Sequence, residues 1–74
     1  MIYLVTYDES RYNKNAKRLI LVESDKCLQI ERVTSLVGML TDGNFTASSV
    51  EIAGKKECDA TRIRHPAIRL YKLD

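Results

Sequence analysis

Residues 2 to 7, Ile-Tyr-Leu-Val-Thr-Tyr, are strand formers that alternate, with Tyr3, Val5 and Tyr7 on one face and Ile2, Leu4 and Thr6 on the other. They predict a first strand. Asp8-Glu9-Ser10 and Asn13-Lys14-Asn15 then flank Tyr12 in a polar connection, whose length predicts a loose hairpin in preference to a two-residue turn. A second strand follows from Lys17 to Glu23. Its run Leu19-Ile20-Leu21-Val22 is apolar on both faces, which places it centrally in a sheet. One side calls for a helix, the other for aromatic cover or a second chain.

Ser24 and Asp25 read as a helix start, the serine as N-cap and the aspartate at the positive end of the helix dipole. Cys27, Leu28, Ile30, Val33, Leu36, Val37 and Leu40 recur near the helical period and predict one face packed on the sheet. Gly43 is the expected left-handed terminator. Phe45 to Ala53 alternates as a third strand, with Thr46, Ser48, Val50 and Ile52 against Phe45, Ala47, Ser49 and Glu51. Glu57 to Pro66 predicts a loop containing at most a short helical turn, because Pro66 pushes His65 toward extended backbone. Ala67 to Leu73 predicts a fourth strand, with Ile68 and Leu70 against Arg69 and Tyr71. The expected architecture is an α+β fold in a single domain spanning residues 1–74. It has an antiparallel sheet of about four strands with one helix on one face, in the order strand, strand, helix, strand, strand.

Composition changes this picture little. The 74 residues are 45% hydrophobic and 30% charged, which fits a folded chain over a disordered one. So short a chain gains from a staple, a partner or unusually good packing, which leaves a homodimer open. Thr6, Tyr7, Asp8 and Glu9 interrupt the N-terminal apolar run, and no window approaches the ~20 residues of a membrane span. A soluble protein of the cytoplasm, of the producing or host cell, is therefore expected, with no membrane partner. Cys27 and Cys58 lack metal-ligand spacing and predict free thiols, the first buried and the second more exposed. The net charge of +2 conceals two clusters. Arg11, Lys14, Lys17 and Arg18 contain no acid among them, and Arg62, Arg64, Arg69 and Lys72 lie near the C-terminus. The two clusters can form one basic face.

His65 is the side chain whose ordinary titration lies nearest neutrality, and it stands between Arg64 and Pro66. A nucleophilic pair with Cys58 needs an orienting partner and a pocket that this chain can barely enclose. Asp8 ends the first strand, where a carboxylate can hold a metal over an opening at the sheet edge. The opening octapeptide Met1-Ile2-Tyr3-Leu4-Val5-Thr6-Tyr7-Asp8 resembles that of the small ferredoxin-like CRISPR-associated nucleases of spacer acquisition and their toxin-like relatives. That resemblance implies a nuclease in which Asp8 acts through a metal at a dimer interface. Those proteins carry a helix between their first two strands, where this chain has the short polar stretch Ser10 to Lys17. The whole layout, with a second strand running into Glu23-Ser24-Asp25, resembles small phage-encoded accessory proteins, including anti-CRISPR proteins and other inhibitors of host defences or host enzymes. That resemblance implies stoichiometric action without catalysis or cofactor.

The residues and this second resemblance lead to a noncatalytic protein-binding module, a phage-type inhibitor or regulator of a larger protein or nucleoprotein complex. Its expected contact groups are Arg11, Tyr12, Lys14, Arg62, Arg64, His65 and Arg69, since loops and edges supply the arginine and tyrosine anchors that dominate interfaces. The alternative is a nucleic-acid-binding or metal-dependent nuclease-like module using the same basic face. Tyr3, Tyr7, Tyr12 and Tyr71 would then supply stacking groups.

Overall fold

The computed structural model describes residues 1–73, and for residues 46–49 the backbone alone. Six elements follow one another: β1 (Ile2–Arg11), β2 (Lys14–Ser24), α1 (Ile30–Thr41), β3 (Phe45–Ala53), α2 (Lys55–Arg64) and β4 (Leu70–Leu73). The strands form one sheet in the order β3-β1-β2-β4. β1 is antiparallel to both of its neighbours, whereas β2 and β4 are parallel. The fold is thus α+β as expected, but the sheet is mixed and there are two helices. The parallel pair has a topological cause: the chain must travel from the β3 edge to the opposite edge, and a crossover helix, α2, makes that connection.

The two-sided apolar run of β2 is satisfied by two separate layers. Ile20 and Val22 join Val5, Tyr7, Val50 and the α1 residues Val33 and Val37 in the larger core, closed by Leu28 from the β2–α1 connection. Leu21 lies on the opposite face with Leu4, packed against Cys58 of α2, with Ile2, Leu19, Ala53 and Ile68 around them. The face on which the sequence pattern invited a second copy or aromatic cover is occupied by α2 and the residues that follow it.

That α2 is a helix corrects the expectation of a loop. Gly54 precedes it in extended conformation, Glu57 sits in its first turn, and Arg62 and Arg64 sit in its last, a charge order that complements the helix dipole. Cys58 is its single buried residue, so no apolar period announces it. It ends just before Pro66, with His65 at the C-cap (φ −129°, ψ 74°), out of the helical region but short of the extended conformation expected.

α1 also begins later than its sequence signal. Ser24 closes β2, and its Oγ accepts the Lys26 amide at 3.3 Å in a side-chain turn, so the serine is used to leave the strand and does not cap a helix. The helix starts at Ile30 behind Gln29, which leaves Cys27 exposed in the connection. At the other end Asp42 (φ 54°) and Gly43 (φ 82°) are both left-handed, and the Gly43 amide donates to the Gly38 carbonyl at 3.0 Å.

The first connection is tighter than a loose hairpin. Pairing continues to Arg11 opposite Lys14, leaving Tyr12 (φ 53°) and Asn13 (φ 61°) as a two-residue turn with both central residues at positive φ. On the far side of β1 the register with β3 shifts. Thr6 opposes Glu51 while Asp8 opposes Thr46, so three extra residues of β3 are accommodated across from Tyr7. An odd shift reverses the faces of the strand, which lets Phe45 and Ile52 pack on the same core, contrary to simple alternation. The expected alternation of residues 46–49 lies outside the described side chains.

Because Leu21 is 2% exposed on the α2 face, Leu21→Ala should lower stability by about 2–5 kcal/mol in urea denaturation. A loss under about 1 kcal/mol would show that α2 does not close a second core.

Candidate functional site

The structure distributes the seven expected contact residues over four places. Arg11, Tyr12 and Lys14 form the tip of the β1–β2 hairpin, beside Asn44 of the α1–β3 turn, whose carbonyl accepts the Ser10 amide at 2.9 Å. Tyr12 is 93% exposed. Arg11 and Arg18 each approach Glu9 Oε1 at 3.7 Å, so this carboxylate offsets part of the positive charge along the hairpin. Arg62 lies apart on α2, in a largely apolar pocket of about 380 Å³ with Met1, Ile2, Tyr3 and Cys58. Arg69 is exposed just before β4, and its carbonyl accepts the Leu21 amide at 2.9 Å.

Arg64 and His65 occupy the fourth place, a groove of about 480 Å³ whose other wall is β2 itself. Lys17, Arg18 and Leu19 face them there, with Pro66, Ala67 and Ile68 completing the floor. The two basic clusters meet only through Lys17 and Arg18 on one side and Arg64 on the other, while Arg11, Lys14, Arg62, Arg69 and Lys72 lie outside the groove. The meeting depends on α2 and on the parallel placement of β4, neither of which is marked in the sequence. β4 pairs only with residues 21–24 of β2. Among the described residues, no strand accompanies that side of β2 from Lys14 to Ile20.

The candidate chemical residues do not converge. Cys58 is buried against β1, its thiol 3.5 Å from the Ile2 carbonyl, whereas His65 is exposed beyond the other end of α2. The expected exposures of the two cysteines are thus reversed: Cys27 is exposed and Cys58 is buried. Cys27 belongs to an apolar stripe only if the helix begins at Ser24, which it does not. Burial pushes the Cys58 thiol pKa up, and Asp59 and Glu57 add to that, against the opposing effects of the Leu4 backbone and Arg62. Burial likewise raises Tyr7, reinforced by Glu9 and Tyr71. Asp8 stands opposite Lys17 in the β1–β2 register. Among the described residues no three His, Cys, Asp or Glu side chains come together as a metal site. No helix among them is long and apolar enough to cross a membrane.

No protein-family model matches this chain, and neither a curated protein nor a solved structure does.

The burial of Cys58 generates a labelling test. In native protein a thiol reagent should modify Cys27 promptly and Cys58 only on unfolding. Equal labelling of both thiols without denaturant would contradict the packing of α2. The raised Cys58 and Tyr7 values also mean that the unfolded chain loses these protons first as pH rises. Their contribution to stability is therefore complete below about pH 8.5, the ordinary thiol value, and declines as the solution becomes more alkaline.

Proposed function

We propose that this chain is a noncatalytic protein-binding module, a small stoichiometric inhibitor or regulator of the phage type, acting through a basic surface that carries tyrosine. The observation that supports this most is the conformation of Tyr12. Both central positions of the hairpin turn have positive φ, a requirement best met by asparagine or glycine. Asn13 meets it, whereas Tyr12 is a bulky residue in the left-handed region with its ring in solvent. Stability alone gives no reason for an aromatic there, and strain of this kind concentrates where a side chain is used. Tyrosine and arginine are also the residues that supply the largest share of interface energy. Arg11 and Lys14 flank the ring at the ends of the two strands.

The nucleic-acid reading has one observation of its own, the meeting of Lys17, Arg18 and Arg64 around the groove. The two readings separate on salt. Phosphate contacts would give binding to short DNA or RNA that falls steeply and linearly on a logarithmic salt scale.

Tyr12→Asn tests the leading reading because stability and binding should move in opposite directions. The substitution should raise stability by about 1 kcal/mol, since asparagine tolerates the left-handed region. It should also weaken retention of the partner isolated from host extract. A variant that is stabilised and retains the partner with unchanged affinity would remove Tyr12 from the binding surface.

A further inference from the structure

We propose that the groove between the open edge of β2 and the α2–β4 turn receives an acidic segment of the partner protein in extended conformation, added to the sheet as a further strand. This rests on the reading of the chain as a protein-binding module and specifies what it recognises. The backbone supplies the first argument. Met1 and Ser24 exchange hydrogen bonds across the β1–β2 ladder, so the even-numbered residues of β2 direct their peptide groups toward β1. The odd-numbered residues point the other way, as the Leu21 amide bonded to Arg69 confirms. β4 covers only residues 21–24 of that side. The peptide groups of Asn15, Lys17 and Leu19 consequently face the vacant row upstream of β4, where a short strand can continue the sheet.

The lining selects the occupant. Lys17 and Arg64 provide two fixed cations on the α2 face and Arg18 a third on the Glu9 face of β2, with His65 in the lining, and no carboxylate is among the described lining residues. Glu9 at 3.7 Å from Arg18 and Asp8 opposite Lys17 offset only part of that charge, from the β1 side. Leu19, Pro66, Ala67 and Ile68 offer an apolar floor between the cations. An added strand whose alternate residues are acidic can set its carboxylates against Lys17 and Arg64 on the α2 face, with the small apolar residues between them turned to the other face. A second copy of this chain does not match. Pairing one β2 edge with another would set Lys14, Lys17 and Arg18 against their own counterparts. Nucleic acid matches less well, because the lining contains no phenylalanine, tyrosine or tryptophan ring on which bases can stack.

The probe is a fluorescent peptide of alternating glutamate and valine, read by anisotropy against the full chain. Saturable binding is expected, weakening with added salt and roughly tenfold on N-methylation of alternate peptide nitrogens in one of the two registers. Lys17→Pro should weaken it similarly, because it removes an N–H directed outward and leaves the β1 ladder intact. Arg64→Gln should weaken it while lowering the melting temperature only slightly, through the lost charge at the end of α2. If Lys17→Pro alters folding, the N-methylated probes on the native chain decide the matter. Absence of saturable binding, indifference to N-methylation in both registers, or displacement by a short oligonucleotide in preference to the acidic peptide would overturn the proposal. If partner retention depends on Tyr12 but survives Lys17→Pro unchanged, strand addition fails and the protein-binding reading stands. If neither substitution affects retention, both strand addition and the Tyr12 surface fail.

Discussion

The structure depends on one constraint, the four-residue run Leu19-Ile20-Leu21-Val22, which is apolar on both faces of its strand. A strand of this kind is stable only between two layers, because exposing either face would leave large apolar side chains in water. α1 and Leu28 cover Ile20 and Val22, while Cys58, Ile68 and their neighbours cover Leu19 and Leu21. The second requirement accounts for α2, an otherwise polar helix held on the sheet by a single buried side chain. It also accounts for the parallel β4, since the chain that has crossed the sheet as a helix returns along the free side of β2.

The same arrangement creates the surface available for recognition. β1 and β2 pair over the whole hairpin, but β4 is short and accompanies only the last part of β2. Tyr12 thus stands at the hairpin tip beside the start of β3, and an uncovered length of strand edge lies beside the α2–β4 turn. Open edges invite association with the wrong partner, and lysine on the edge is a common protection. Lys14 and Lys17 serve that purpose here. In the proposed strand addition Lys17 and Arg64 also make the edge selective, favouring an acidic strand over another copy of the same chain.

The strands and the two-sided character of β2 were legible in the sequence because burial on a pleated surface leaves a periodic trace. α2 was not, because a helix that contributes one buried residue leaves no period. The start of α1 was misplaced for a different reason: Ser24 and Asp25 have the chemistry of a helix cap, yet the serine hydroxyl is used by the turn that leaves β2. That displacement carried Cys27 out of the core, while the unrecognised helix carried Cys58 into it. At the surface, the two basic clusters were evident from composition. Which of their members meet was not, because Lys17 and Arg64 are brought together by a crossover that only the tertiary fold specifies. The hairpin turn was obscured by the feature that makes it informative, a tyrosine where asparagine or glycine is expected.

Native-state hydrogen exchange along β2 tests the central claim most directly, namely that this strand is covered on both faces but paired along only part of one edge. The amides of Leu21 and Glu23, which face β4, should be strongly protected together with the even-numbered amides that face β1. The amides of Asn15 and Lys17, which face the vacant row, should exchange far faster. Protection of Asn15 and Lys17 equal to that of Leu21 in the isolated chain would contradict the account.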